Sequence, residues 1–470
     1  MPLPVDTAFL SIRELGAKLR AKEFSTVQLT EFFLERLDRI GRELNAVVTL
    51  TRDIAITQAK QADAELAAGK DRGSLHGIPF GSKDLIAVKG HPTTWGAKPF
   101  EKQDFDEDAT VIVKLREAGA VHCAKLAMVE IAGGLGYRQA NASFTGPGLN
   151  PWDKKRWSGG SSTGPGSAVG GGLVPFGIGS ETWGSIMTPA GFCGIAGLRP
   201  TYGRVSRHGA MALSWTMDKL GPMCRTADDC GLVLNAIAGP DPQDPSAATR
   251  SYSYPESVDP NRRFKLAVLK DVASQTQPEV RANFEASLAV LKTFATIEEI
   301  ELPSLPFTET ASIILSSEAA AAFEDLITTG DIWEMTAPED HWGLHSQMVI
   351  PAKDYINAIR IRPKLQRAMD ELLKPFDAVV TPTLATVAYP NDVDWPEYRG
   401  KARLTADIGG ASNVCGLPGL SVPNGFGEGG LPTGLQFVGR AFDENKLLAI
   451  AGRYQQLTDW HRKFPKAIGR

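Results

Sequence analysis

Residues 158–185 read SGGSSTGPGSAVGGGLVPFGIGSETWGS. A stretch this rich in glycine and serine ordinarily behaves as a flexible linker. Here it carries Leu173-Val-Pro-Phe and Ile178 and runs directly into Ile186-Met-Thr-Pro, so apolar residues that demand burial are threaded through it. A chain with this segment must fold around it, with glycines permitting close backbone approach inside a core and hydroxyls carried among them. Length allows such a core: 470 residues, 43% hydrophobic and 22% charged, need no disulfides to fold. The five cysteines (Cys123, Cys193, Cys224, Cys230 and Cys415) include no CxxC pair, which argues against a zinc ribbon or disulfide framework and for reduced thiols in a cytoplasmic setting. A net charge of −4 offers no basic footprint for nucleic acid. The N-terminus lacks the basic-then-apolar pattern of a secretory signal, and no run of about 18 apolar residues is present to span a membrane.

Patterning along the chain predicts an α/β fold. Ser25-Thr-Val-Gln28 is a capping box, and Leu29, Phe33, Leu37, Ile40 and Leu44 after it fall on one helical face. A second helix is expected from about Asp53 to Ala68, stopped by Gly69. Gly77 to Val88 reads as a strand, a loop and another strand, and Asp108 as the cap of a helix to about Ala118. Strands are then expected at Val121–Leu126, Lys265–Lys270, Ile297–Leu302, Ala378–Thr381, Gly419–Pro423 and Gly434–Val438, alternating with helices at Thr226–Ala238, Pro278–Phe294, Ala352–Leu373 and Glu444–Leu457. Pro240–Asn261 is the expected long surface loop. The chain reads as one domain over 1–470, with N-terminal helices over 1–70, a core over about 71–240 and 351–470, and a helical cap over about 303–350.

Three chemistries compete for the glycine-rich segment. A phosphate-cradling loop needs a lysine after its glycines, and none follows. Gly160-Ser-Ser162-Thr-Gly164 matches the GxSxG elbow, with Ser162 as nucleophile and His341, His345 or His461 as base, but that elbow needs a strand before it and the preceding Asn150-Pro-Trp-Asp-Lys-Lys-Arg156 cannot be one. The third reading comes from a larger pattern. Gly159-Gly160-Ser161-Ser162 is followed, 24 residues after Ser161, by Ser185 within Gly179-Ser-Glu-Thr-Trp-Gly-Ser185-Ile-Met-Thr-Pro189, and then by Cys193-Gly-Ile-Ala-Gly-Leu-Arg-Pro-Thr201. Gly77-Ile-Pro-Phe-Gly-Ser-Lys83-Asp84 stands upstream, and Phe376-Asp-Ala-Val-Val-Thr-Pro-Thr383, Asn413-Val-Cys-Gly-Leu-Pro-Gly-Leu-Ser-Val-Pro423 and Gly434-Leu-Gln-Phe-Val-Gly-Arg440 downstream.

Together these blocks resemble the amidase signature family nearly end to end. The resemblance implies a large mixed, twisted β-sheet sandwiched between α-helices. It also implies a Ser–Ser–Lys triad: Ser185 as nucleophile, Ser161, on a cis peptide bond, as relay, and Lys83 as base. The oxyanion hole would be the main-chain N–H groups of Thr182, Trp183, Gly184 and Ser185. Serine is a poor nucleophile without a neighbouring base, and lysine serves only while uncharged, so Lys83 must be buried or crowded by positive charge. A hydroxyl that both donates and accepts suits Ser161 to the relay. Ser162 and Ser180 are expected to bond local backbone, and Asp84 to order the loop around Lys83. No metal or organic cofactor is required.

Several positions depart from the family pattern. Glu181 replaces Asp, Trp183 replaces Gly, Met187 replaces Arg, and Thr163 and Pro165 replace a glycine and a small residue. Trp183 either walls the leaving-group side of the loop or points into the core. The cap carries Phe307, Phe323, Trp333, His341, Trp342 and Met348, which either pack internally or line a pocket. With Trp183, Trp333 and Trp342 as substrate-binding candidates, the expected activity is hydrolysis of C–N bonds in small amides, anilides or carbamates, with no nucleic acid, no membrane and at most a second copy of the chain, as a homodimer, for a partner. The alternative within the family is the glutamine-hydrolysing subunit of a tRNA-dependent amidotransferase, which holds glutamine with an Arg and an Asp. Arg362 matches the first, while Ala406 stands at the acidic position with Asp407 one residue away.

Overall fold

The computed structural model describes residues 3–133, 137–255, 259 and 261–468. Eleven strands form one sheet: β1 Val47–Leu50, β2 Pro79–Lys83, β3 Val121–Leu126, β4 Phe176–Glu181, β5 Ala196–Arg199, β6 Lys219–Cys224, β7 Phe264–Leu269, β8 Ala295–Ile300, β9 Ala378–Pro382, β10 Gly419–Phe426 and β11 Pro432–Val438. Their order is β1-β3-β2-β4-β6-β5-β10-β11-β9-β7-β8. The sheet is mixed, with β2 parallel to both β3 and β4, β7 parallel to both β8 and β9, and antiparallel pairs between these groups. Every residue of β2, β3, β4, β5, β6 and β9 is buried. Burial on both faces is what a helix-covered sheet requires.

The N-terminal capping box forms, with Ser25 accepting from the Gln28 N–H and Gln28 from the Ser25 N–H, and Leu29, Phe33, Leu37, Ile40 and Leu44 all turn inward. The helix at Ala352–Leu373 has its expected ends, Val121–Leu126 is a strand as read, and Thr226 caps Ala227–Ile237 through the Asp229 N–H. Three local readings need correction. After β2 the chain turns instead of leaving as a second strand, and Ile86 makes a single bridge to Ala210. Asp108 does not cap the helix Thr110–Glu117; its carboxylate is taken by the Lys89 N–H and Arg116. β8 begins at Ala295, two residues before the expected strand. Residues 256–258 and 260 of the expected 240–261 loop lie outside the described residues. Between 303 and 350 stand the helices Phe307–Ala322, Glu324–Thr328 and Pro338–Gln347, the first packed on the helices Ala352–Leu373 and Ile408–Val414. Among the described residues no helix is long and apolar enough to cross a membrane.

Candidate active site

The site is built where two parallel neighbours end. Lys83 is the last residue of β2, and Ser180 and Glu181 are the last of β4. The carboxyl ends of adjacent parallel strands are where open α/β sheets gather ligand-facing groups. Lys83 Nζ donates to Ser161 Oγ at 2.7 Å and to Ser180 Oγ at 2.9 Å, and Ser161 Oγ donates to Ser185 Oγ at 3.0 Å. Lys83 and Ser161 have no exposure, and Ser185 has 9%, so only the outer end of this chain of donors reaches solvent.

Ser161 sits in the turn before the buried helix Thr163–Gly170, and the Gly160–Ser161 peptide bond is cis. Its carbonyl accepts from the Val129 N–H at 3.0 Å. Gly159 has φ +85°, and a Cβ there would lie 2.7 Å from Pro189 Cα, so the turn closes against the next helix only with glycine at this position. The burial that threaded glycines through an apolar segment foreshadowed is thus a close approach of two backbones beside the serine.

Burial presses the Lys83 ammonium down from its usual value to about 7, against the opposing pull of Asp218 and Glu181. An amine so placed is substantially uncharged at neutral pH.

Glu181 shapes the loop between Ser180 and Ser185. Its Oε2 accepts from the N–H groups of Ile186 at 2.8 Å and Met187 at 3.0 Å, and its Oε1 from Arg199 Nη1 at 2.7 Å and Asn413 Nδ2 at 3.1 Å. The chain from 182 to 185 therefore arches between the backbone of Glu181 and its own carboxylate. Burial pushes that carboxyl up, but Arg199, Lys219 and the Ile186 N–H outweigh it and hold it at about 2. The arch needs one left-handed residue, and Gly184 supplies it at φ +96°. Trp183 does not take a positive φ, so its bulk is not a source of backbone strain. Among the described residues, the N–H groups of Thr182, Trp183, Gly184 and Ser185, the four expected to form the oxyanion hole, find no protein acceptor.

A second polar layer lies behind the arch. Thr182 Oγ1 donates to Asp218 at 2.5 Å, and Lys219 Nζ donates to the Thr182 carbonyl at 3.3 Å and to Asn413 Oδ1 at 2.8 Å. Burial, with Arg199 nearby, lowers Lys219 well below the ordinary lysine value. Burial raises Asp218, whose carboxylate also accepts from the Leu213 and Ser214 N–H groups. Asp218 and Lys219 do not stand out in the sequence, and Arg199 and Asn413 lie in blocks that match the family pattern without showing this contact. The only signal is Glu181 standing where Asp is usual, since a buried lysine within MDKLGPMC looks like any charged residue near a strand end.

The structure thus brings together Lys83, Ser161, Ser185 and the loop Thr182–Ser185. It also corrects Ser180, whose hydroxyl accepts from Lys83 instead of only serving local backbone. Ser162 does bond backbone, at Ser180 N and O. Asp84 holds its loop through Thr94 and a buried ion pair with Lys125 at 2.8 Å. Trp183 is half-buried over Gly409 and Gly410, and a Cβ at Gly410 would lie 3.1 Å from its ring. Trp333 and Trp342 are 49% and 69% exposed and meet each other edge to face at 4.9 Å. Phe307 and Phe323 are core residues. Arg362 donates to the carbonyls of Val414 at 2.7 Å and Thr216 at 2.6 Å, Ala406 packs on the core, and Asp407 caps the helix Ile408–Val414 through the Gly410 N–H at 2.7 Å. Among the described residues, no group of three or more His, Cys, Asp or Glu is placed to hold a metal ion.

A family model described as Amidase matches residues 28–448. The chain belongs to the amidase signature family. As an amidase it is a serine amidohydrolase of linear amides, and its mixed α/β sheet is the family's fold. It is similar to peptide amidase from Stenotrophomonas maltophilia, whose crystal structure superposes with a TM-score of 0.83 at 30% identity, covering 97% of this chain and 98% of that one. It is similar to the A-subunit of glutamyl-tRNA(Gln) amidotransferase from Thermotoga maritima, with a TM-score of 0.77 at 27% identity over 98% and 97% of the two chains. Among sequences, the glutamyl-tRNA(Gln) amidotransferase A-subunit of Alkalilimnicola ehrlichii is 34% identical over 97% of this amidase and 99% of that protein.

These relatives overturn two expectations. The first is a lone amidase acting on small amides, anilides or carbamates. The second is a partner set without nucleic acid and without protein beyond a second copy. Sequence relatives matching the amidase over nearly its whole length bear the name of one component of a glutamyl-tRNA(Gln) amidotransferase. Net charge misled because −4 describes the field of this chain alone, whereas a nucleic acid can be gripped by another protein of an assembly. The aromatic residues misled because Trp333 and Trp342 share a surface cluster and Trp183 lies on two glycines of a helix.

Proposed function

We propose that this amidase hydrolyses the side-chain amide of glutamine as the ammonia-releasing component of an amidotransferase. The observation that carries this reading is the near-complete, 33–35% identical match to amidotransferase A-subunits. One helix of the site supports it. The helix Ile408–Val414 lies beside Trp183, with Asp407 capping its first turn and Arg362 bonded to the carbonyl of its last residue. A seven-residue helix is about 10 Å long, which sets the Asp407 carboxylate at its start apart from the Arg362 guanidinium at its end. Such a pair complements the ammonium and carboxylate of a free amino acid whose amide reaches Ser185.

In this reading Ser185 Oγ attacks the amide carbonyl carbon, forming a C–O bond as the carbonyl π pair moves onto oxygen. The N–H groups of Trp183, Gly184 and Ser185 receive that oxyanion, each aligned donor contributing about 3–4 kcal/mol. The hydroxyl proton passes to Ser161, whose own proton passes to uncharged Lys83. The donors as they stand, Lys83 to Ser161 to Ser185, run in the returning direction, and rotation of both hydroxyls reverses it. The returned proton goes to the leaving nitrogen, the C–N bond breaks, and ammonia departs. Water then cleaves the glutamyl ester by the same relay to give glutamate.

The test is glutaminase activity of the purified chain, alone and with the partner subunits of its assembly. Ammonia release from glutamine that is lost in Ser185→Ala supports the reading. Turnover of simple amides with no glutamine hydrolysis in either setting refutes it.

A further inference from the structure

A cleft of about 780 Å³ opens between the N-terminal segment, the start of the helix Ala227–Ile237 and the final helix Glu444–Gln456. None of its lining residues belongs to the triad, the 182–185 arch or the layer behind it. Its volume is that of a small-molecule site. We propose that this cleft binds a small molecule bearing a carboxylate or phosphate group, held by Arg225 and Gln455.

Gln455 is 7% exposed. Its Oε1 accepts from the Ala227 N–H at 2.9 Å, which fixes the orientation of the amide, and its Nε2, buried in the cleft wall, has no partner. A buried amide donor without an acceptor is destabilising unless something fills the place. The Arg453 Nε and His461 Nδ1 atoms on the same lining also lack partners. Arg225 is 4% exposed and carries no carboxylate: its Nη2 donates to the backbone carbonyls of His461 at 3.1 Å and Lys463 at 3.0 Å. Burial, with Arg462 and Arg225 alongside, holds His461 down at about 4, so it adds no charge of its own at neutral pH.

Carboxylates on the lining do not answer these donors. Asp228 is paired with Arg13 at 2.5 Å, Glu14 accepts from the Ser11 N–H at 2.8 Å, and Asp6 and Asp259 stand exposed. What Gln455 Nε2 and the Arg225 guanidinium lack is a bonded carboxylate of the protein. The cleft wall offers an apolar counterpart, for Phe9 stacks on Phe464 at 4.1 Å and lies under the Arg225 guanidinium at 5.1 Å. Guanidinium and amide donors lining one cleft with an aromatic wall suit an oxyanion carried on a small organic body.

Isothermal titration of the full chain with benzoate and, separately, inorganic phosphate tests this. Saturable one-site binding of either is expected, benzoate marking a carboxylate site and phosphate a phosphate site. Gln455→Glu keeps the acceptor for Ala227 and replaces the donor with a carboxylate oxygen, so affinity should fall about tenfold or more. Ser185→Ala should bind as the parent does, which separates this cleft from product binding at the catalytic serine. Should Gln455→Glu fail to fold, Arg453→Met, altering a partly exposed side chain, should show the same weakening. No heat from either anion, undiminished affinity in the folded variant, or loss of binding in Ser185→Ala overturns the proposal.

Discussion

At the scale of single residues, the proposed chemistry rests on a lysine kept from its charge. Lys83 protonates as pH falls through about 7, so hydrolysis should decline on the acid side with an apparent midpoint near that value. A pH–rate profile of kcat/KM reads this directly. The same shift has a stability counterpart. Lys83 binds its proton more weakly folded than unfolded, so stability should rise with pH between about 7 and the ordinary lysine value of 10.5. Lys83→Met should therefore be inactive, and its gain in melting temperature should be largest below pH 7 and shrink toward pH 10. Ser180 accepts a hydrogen bond from Lys83, which favours the charged form. Ser180→Ala should then move the acid limb to lower pH without abolishing turnover. The triad positions were legible because their spacing and flanking residues match a family pattern. Ser180 was not, since a serine at the end of a glycine-rich strand gives no sign of which neighbour its hydroxyl meets.

At the scale of elements, the arch from 182 to 185 is held by two features that can be tested separately. Gly184 takes φ +96°, where a side chain is strained. Gly184→Ala should misalign the free N–H groups and reduce kcat by about 10²–10³-fold with KM little changed, as loss of an oxyanion donor does. Glu181 pairs with buried Arg199. Glu181→Gln leaves that guanidinium uncompensated and should cost about 3–5 kcal/mol in denaturant unfolding. With Glu181 held at about 2, its contribution is present above the unfolded carboxyl value of 4.5 and is lost as pH falls through 2. Elements with clear periodicity were readable, as at Ala352–Leu373. β4 was not, because FGIGSE alternates glycine with other residues and carries no run of branched or aromatic side chains; burial between β2 and β6 makes it a strand. Asp108 failed as a cap because tertiary partners, Lys89 N–H and Arg116, compete for its carboxylate.

At the scale of the molecule, one buried sheet sets the ends of β2 and β4 side by side and carries the serine turn against them. The mixed sheet covered by helices was legible as fold class, whereas the meeting of β2 with β4 was not, since β4 itself carries no strand signal. Substrate and partners were not, because they depend on which side chains ring the entrance and on surfaces offered to other chains, neither of which periodicity encodes. Glutamine hydrolysis by the isolated chain should be slow and rise on addition of its partner subunits, measured as ammonia release. The most direct test is intact and peptide mass spectrometry of enzyme quenched with acid during glutamine turnover. The account predicts one glutamyl acyl group on the peptide containing Ser185, absent from Ser185→Ala. A turning-over enzyme without that adduct, or with the acyl group on another residue, would contradict it.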